Sequence, residues 1–381
     1  MSLIYILAGE ASGDVLGGRL LPALRARRPD LEFAGIGGPR LAEQGLVSLF
    51  DYRDLALMGL LEILPNLARL ARRLAETTAD IAARKPDLIL TIDSPGFAFR
   101  IAKRVRRLGI PLIHYVAPQV WAWRPGRVKE LKPLLGGILA LLPFEAPFFE
   151  KAGIPVTFVG HPVLESGAGQ GDAVRFAERF GLASTDIPLL VMPGSRRGEV
   201  QRLLPIFGPA LAALARTHPA IRPIIAVAPI TATQVRDAAG GWPNAPILVA
   251  TLDDKHDAFA ATAARGGAGL IKSGTSSLEM AVAGVPHVVG YRLNPVTAAI
   301  VRRLVKVPYA SLVNLLAEAP VAPEFLQESC TPANLAGALS AILANPGAQK
   351  PGFATALARL RAPEGLPSEA AASAVLRALE A

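Results

Sequence analysis

Gly269-Leu270-Ile271-Lys272-Ser273-Gly274-Thr275-Ser276-Ser277-Leu278-Glu279 runs from an apolar segment through a turn of small residues into a helical start. The apolar segment reads as the end of a buried strand, so the unit is strand, tight turn, helix, the repeating piece of an α/β protein. At such a helix start the first backbone N–H groups lack partners, hydroxyls gather, and the macrodipole adds partial positive charge. The place suits a phosphate. A plain helix capped by Ser or Thr fits the same residues. Glu279 falls about one turn further in, within reach of ribose hydroxyls. A second small-residue turn, Met192-Pro193-Gly194-Ser195-Arg196-Arg197-Gly198, precedes it in the same half. Two phosphate-suited turns together point to a nucleotide diphosphate.

Outward from these turns the chain alternates short apolar runs with longer amphipathic ones. Leu3–Ala8, Phe33–Ile36, Leu88–Ile92, Leu112–Val116 and Gly137–Leu142 read as buried parallel strands, with helices such as Asn66–Arg84 and Phe97–Leu108 between them. The pattern restarts with Leu189–Met192, Ile224–Val227, Ile247–Ala250, Gly269–Ile271 and His287–Tyr291. A β-α-β alternation that runs twice predicts two doubly wound domains. The boundaries are 1–165 and 172–345, joined through the polar run Ser166-Gly167-Ala168-Gly169-Gln170-Gly171, which reads as flexible. A helical tail, 351–381, carries a helix near Ser368–Leu379, and whether it packs back on the first domain stays open in the sequence.

The 381 residues are 51% hydrophobic and 19% charged, which excludes a disordered chain and allows two full cores. The net charge is +9 and is not gathered in a tail. Its densest cluster is Arg100, Lys103, Arg104, Arg106 and Arg107, either a solvated helix face or a contact for an anionic membrane or phosphorylated substrate. No aromatic platform accompanies the charge, so nucleic acid is not the expected partner. The single cysteine, Cys330, forms no internal disulfide, as in a reducing cytosol. No cysteine pair or His-x3-His spacing marks a zinc site. Ser2–Ala8 is too short for a signal-peptide core, and Leu134–Phe144 falls short of the roughly 20 residues of a membrane span. The expectation is a soluble or peripheral protein.

Ligands of open α/β sheets sit beyond the carboxyl ends of the strands, so the residues after each strand are the candidates. After the first comes Gly9-Glu10-Ala11-Ser12-Gly13-Asp14, without the Gly-x-Gly-x-x-Gly spacing of a dinucleotide loop. No Gly-x4-Gly-Lys-Ser/Thr element occurs either. Glu10 and Asp14 fit helix caps or acid–base roles. Asp93, followed by Ser94-Pro95-Gly96, fits either an N-cap or a general base that takes a proton from a sugar hydroxyl. Ala117-Pro118-Gln119-Val120-Trp121-Ala122-Trp123-Arg124, with Arg127 and Lys129 behind it, sets two tryptophans and several cations on an irregular segment. Such residues stack on sugars, cover acyl chains and pair with phosphate, or plug a core. Leu57, Met58, Leu60, Leu61 and Ile63 belong to a run that is apolar nearly all round, either core or a surface facing lipid. In the second half Arg196 is placed to neutralise a diphosphate. Asn314 is a lone amide in an apolar run that needs partners, which a ligand would supply. His114 and His161 read as structural histidines. No Asp-x-Asp metal clamp is present.

The segments Ala8 to Asp14, Ala117 to Arg124, Pro193-Gly194-Ser195-Arg196, Ser273 to Glu279 and Ser311 to Leu316 occur in one order across nearly the whole chain. Together they resemble the lipid-A-disaccharide synthase family. Ala-Pro-Gln-Val-Trp-Ala-Trp-Arg is its most specific motif, and Gly-Glu-Ala-Ser-Gly-Asp is also distinctive.

The resemblance implies a GT-B fold, two Rossmann-like doubly wound domains facing a central cleft. It implies an inverting, metal-independent glycosyltransferase without cofactor. Members join UDP-2,3-diacylglucosamine to 2,3-diacylglucosamine 1-phosphate through a β-1,6 bond, release UDP in lipid A synthesis, and associate with the cytoplasmic face of the inner membrane. By position Asp93 matches the base, with Glu10 and Asp14 in reserve. Gly194, Ser195, Arg196, Ser273, Gly274, Thr275, Ser276, Glu279 and Asn314 fall to the UDP site. Ser12, Met58, Gln119, Trp121, Trp123, Arg124 and Arg127 fall to the acceptor and lipid. Arg197, followed by Gly198 and Glu199, departs from the pattern and is assigned no contact. A homodimer stays open. Rival readings are another GT-B enzyme using UDP-GlcNAc, an epimerase or peptidoglycan-type transferase, and a non-catalytic nucleotide- or lipid-binding protein.

Overall fold

The computed structural model describes residues 2–55, 67–120, 126, 128–294, 297–298, 302 and 307–380. The chain forms two compact units, Met1–Pro162 with Leu360–Ala381, and Val163–Arg359. Each is built on a six-stranded sheet whose pairings are all parallel.

The first sheet contains β1 (Leu3–Ala8), β2 (Glu32–Ile36), β3 (Leu88–Ile92), β4 (Leu112–Tyr115), β5 (Gly137–Ala140) and β6 (Val156–Phe158), in the order β2-β1-β3-β4-β5-β6. Every residue of β3, β4 and β5 is buried, which is why these strands read as continuous apolar runs rather than alternating ones. The strand order reverses between β1 and β3. That is the switch point where crossovers leave in opposite directions and a crevice opens beyond the carboxyl ends.

The second sheet contains β7 (Ile187–Met192), β8 (Ile221–Ala226), β9 (Ile247–Val249), β10 (Ala268–Ile271), β11 (His287–Tyr291) and β12 (Glu324–Leu326), in the order β12-β11-β10-β7-β8-β9. Its switch point lies between β7 and β10. Apolar clusters pack on both faces of this sheet. One includes Leu189, Val191, Phe207 and Leu270, and the other Leu190, Ile224, Phe259 and Ile271.

Two strands were not legible. β6 and β12 are three-residue edge strands, half-buried throughout, with too few residues to show a pattern of their own. The joint differs from its flexible reading as well. Ala168 is buried, and Gly171 lies so close to the helix Leu252–Ala264 that a Cβ there would stand 1.9 Å from the His256 carbonyl oxygen. The Asp172 N–H donates to the Asp257 carboxylate at 2.7 Å. After Leu360 the chain belongs to the first unit, where the His161 N–H donates to the Leu360 carbonyl at 2.9 Å. The last helix, Pro367–Glu380, lies against Ala11–Arg27 through the small buried residues Ala371, Ala372 and Ala374. Among the described residues, no helix is long and apolar enough to cross a membrane.

Candidate active site

In the second unit, a cavity of about 400 Å³ opens beyond the carboxyl ends of β7 to β10, at the switch point. Gly194, Ser195, Thr275, Ser276 and Glu279 line it, so the two quoted turns meet in one place. The sheet brings them there: β10 pairs with β7, and the Lys272 N–H donates to the Met192 carbonyl at 3.0 Å. Both turns need glycine. Gly194 has φ +115 and Gly274 φ +148, conformations that side chains rarely adopt. A Cβ at Gly194 would also lie 2.7 Å from the Glu199 Oε2 atom.

Two lysines that were not among the residues assigned to the UDP site bring charge to this cavity. Lys272 and Lys255 both line it. The Lys272 Nζ atom lies 3.6 Å from Glu199 Oε1, and an Arg196 guanidinium nitrogen lies 3.7 Å from the same oxygen. The Glu199 side chain is 6% exposed, and its Oε2 has no hydrogen-bond partner among the described residues. Lys255 holds Glu279 through a 2.8 Å contact from Nζ to Oε1. Lys272 stands inside the opening stretch, where a cation between a strand and a glycine turn was the available signal. Lys255 carried no signal, because only the fold brings residues 255 and 279 together.

The helices differ in what they offer an anion. The one after Gly274-Thr275, Ser276–Val282, has only 7 residues, a short stack of peptide dipoles. The one after Gly194-Ser195, Arg197–Thr217, has 21 and opens at Arg196. The cations that line the cavity are Lys272 and Lys255, whereas Arg196 is not among its lining residues and stands beside it on the buried Glu199. Ser273 does not line the cavity, and its hydroxyl donates to the Ala310 carbonyl at 2.6 Å. Asn314 is corrected from ligand to scaffold. It is 1% exposed, its amide donates to the Ala322 carbonyl at 2.8 Å and to Glu324 at 2.7 Å, and its oxygen accepts the Ala322 N–H. Those three bonds fill both of its donors, so a ligand has none to take.

In the first unit, the loops after β1 and β3 meet at the other switch point. A Cβ at Gly13 would stand 2.7 Å from the Ile92 carbonyl oxygen, so glycine lets the helix Ala11–Arg27 start close against β3. That approach puts the Ser12 hydroxyl on Asp93, donating to Oδ2 at 2.6 Å. Asp93 and Ser94 have φ 55 and φ 47, two successive non-glycine residues in the left-handed region. Each costs on the order of 1 kcal/mol, and such strain concentrates at functional positions. Asp93 stays half-buried, followed by the helix Pro95–Val105.

Asp14 is corrected from reserve base to cap. It is 3% exposed, and its carboxylate accepts the backbone N–H groups of Gly38, Arg40 and Leu41 at 2.7, 2.9 and 3.0 Å. These are the unpaired donors at the start of the helix Pro39–Glu43. Glu10 occupies the N-cap position of Ala11–Arg27 and is half-buried. His114 and His161 are buried, and desolvation lowers their pKa values to about 3 and about 4, which suits neutral structural rings. Gln119 lines a second cavity of about 430 Å³. Met58, with Leu57, Leu60, Leu61 and Ile63, and Trp121, Trp123, Arg124 and Arg127 lie outside the described residues. Among the described residues, no group of three or more His, Cys, Asp or Glu is placed to hold a metal ion.

The sequence profile of the lipid-A-disaccharide synthetase family matches residues 4–362. A lipid-A-disaccharide synthase from Granulibacter bethesdensis is 50% identical over 99% of this chain and 98% of its own length. One from Gluconobacter oxydans is 51% identical over 98% of this chain and 90% of its own. Among solved structures, an S. aureus MnaA–UDP co-structure superposes with a TM-score of 0.66 at 13% identity, covering 99% of this chain and 95% of that one. CalG4, the calicheamicin glycosyltransferase, gives 0.60 at 17% identity over 100% and 98%. At those identities the likeness is one of fold.

Proposed function

This chain belongs to the lipid-A-disaccharide synthase family, and from that premise we propose how its residues join two acylated glucosamines. The enzyme is an inverting glycosyltransferase of lipid A synthesis. It transfers 2,3-diacylglucosamine from UDP to 2,3-diacylglucosamine 1-phosphate, forms a β-1,6 bond and releases UDP. The reading of an epimerase or another UDP-GlcNAc enzyme gives way to relatives at half identity over the whole chain.

In this mechanism the cavity of the second unit holds the UDP moiety. Ser195, Gly194 and the Thr275–Ser276 turn surround the diphosphate, and Lys272 and Arg196 offset its charge. Glu279, steadied by Lys255, accepts from the ribose hydroxyls. Asp93, oriented by Ser12, takes the proton from the acceptor 6-hydroxyl as that oxygen attacks the anomeric carbon. The bond from that carbon to the β-phosphate oxygen breaks, and UDP leaves with the electron pair. Fixed cations and backbone dipoles stabilise the departing charge without a metal ion or cofactor. The observation that carries the reading is the meeting of both phosphate-suited turns and Lys272 at one switch-point cavity. Peripheral binding to the cytoplasmic face of the inner membrane belongs to the same proposal, supported by the exposed cations Arg100, Lys103, Arg104, Arg106 and Arg107.

Asp93→Asn tests the chemistry, because it keeps the shape and the Ser12 contact while removing the base. UDP release at saturating donor and acceptor should fall about 100-fold to 10,000-fold, with UDP affinity unchanged. Near-normal turnover would remove Asp93 from the mechanism.

A further inference from the structure

The second cavity, about 430 Å³, belongs to the first unit alone and is distinct from the UDP cavity. It lies between the helix Pro95–Val105, the segment at Gln119–Val120, the helix Val128–Leu131 and Leu134. Phe99, Val120 and Leu134 pack on the core beneath yet stay half-exposed around this hollow, and Leu131 is buried at its wall. On the first helix, Gly96, Phe99 and Lys103 all line it. Their spacing of three and then four places them on one helical stripe about 10 Å long. The stripe starts three residues after Asp93 with a glycine, passes an aromatic ring and ends in an exposed cation. Exposed Arg100 and Arg104 stand beside it on the same helix.

Gln119 and Glu130 also line the hollow, so an apolar wall carries a mixed polar rim in which Lys103 is the lining cation. Such a surface, lined from Pro95 two residues after Asp93, fits an amphiphile with an anionic head. We propose that this cavity binds one acyl chain of the phosphorylated acceptor sugar, and that its depth sets the acyl-chain preference of the enzyme. The occupant is the substrate, not a bilayer lipid, because the lining starts at Pro95, two residues after Asp93, the base to which the acceptor hydroxyl must come. The proposal rests on the assignment of the acceptor to the first unit. Filling the hollow with hydrocarbon removes water from partly exposed Phe, Val and Leu side chains, and each methylene that enters changes affinity roughly fourfold.

Gly96 supplies the test. A Cβ there meets nothing within 4 Å, and its backbone is not in the left-handed region, so a larger side chain fits the fold while filling the mouth of the hollow. UDP release should be measured for the wild type and Gly96→Leu with acceptors of long and of very short acyl chains. For the long-chain acceptor, KM should rise at least tenfold in the variant. For the short-chain acceptor, KM should change less than twofold, with kcat, donor KM and thermal midpoint likewise unchanged. Lys103→Gln should raise acceptor KM at both chain lengths, through lost charge. Equal effects of Gly96→Leu on long and short acceptors, no effect on either, or a rise confined to donor KM would each overturn the proposal. So would loss of co-sedimentation with anionic vesicles at unchanged acceptor KM, which would identify a bilayer lipid as the occupant. Asp93→Asn, assayed alongside, separates the two ideas. Retained turnover there with a selective Gly96→Leu effect removes the base and leaves the cavity. Abolished turnover there with an unaltered chain-length profile in Gly96→Leu removes the cavity and leaves the base.

Discussion

Glu199 shows how single residues share one job at the nucleotide cavity. Its buried carboxylate faces Lys272 and Arg196, and one oxygen abuts the space that a side chain on residue 194 would need. Lys272 pairs with this buried side chain at 3.6 Å and also lines the cavity, so it serves both Glu199 and a bound diphosphate. Lys272→Met should therefore weaken UDP binding about 10-fold to 100-fold and lower stability by about 1–3 kcal/mol. Adding Glu199→Gln should recover stability but not affinity. Calorimetric titration with UDP and denaturant unfolding read these separately, and recovery of both in the double variant would show that Lys272 acts only through Glu199. The glycines and hydroxyls of this cavity were visible in the chain because their turn requires them. Glu199 looked like a departure from a motif, because its role depends on a lysine 73 positions away.

Among the elements, the opening of the first unit depends on a helix capped from outside itself. Pro39–Glu43 is too short to hold its own start, and Asp14, on a different helix, accepts three of its N–H groups. Asp14→Ala leaves those donors buried and unpaired, at a cost of about 2–4 kcal/mol. The variant should unfold earlier in urea while the folded fraction keeps its kcat. A fall in kcat beyond tenfold at full folding would return Asp14 to the chemistry. In the same way Asn314 ties Ala322 and Glu324 to the helix Leu312–Ala317. Periodicity identified most strands and long helices, since their patterns are local. The edge strands Val156–Phe158 and Glu324–Leu326 escaped because pairing, not pattern, makes them strands.

At the scale of the whole molecule, both units hold neutral histidines in their interiors. Burial lowers His114 to about 3, His161 to about 4 and His287 to about 4, all below the ordinary 6.5. The unfolded chain therefore binds more protons than the folded one between about pH 6.5 and 4. Stability should be level above pH 7 and should fall as pH drops through that window, by at most about 1.4 kcal/mol per pH unit for each ring. Urea midpoints at pH 7.5, 6 and 5 check it, and His114→Gln should flatten the slope. A midpoint that does not move between pH 7.5 and 5 would contradict the burial of neutral rings.

From the sequence alone came two doubly wound halves, the glycine turns suited to phosphate, Asp93 at a strand end, and the ordered motifs of a glycosyltransferase family. Each is carried by neighbours along the chain, through periodicity, turn chemistry or a contiguous motif. Only the tertiary structure decided that Asp14 caps and Asn314 braces, that Lys255 holds Glu279, and that Lys272 faces a buried Glu199. A polar group bonds to whatever donor or acceptor the fold brings within about 3 Å, and those partners lie far apart in the chain.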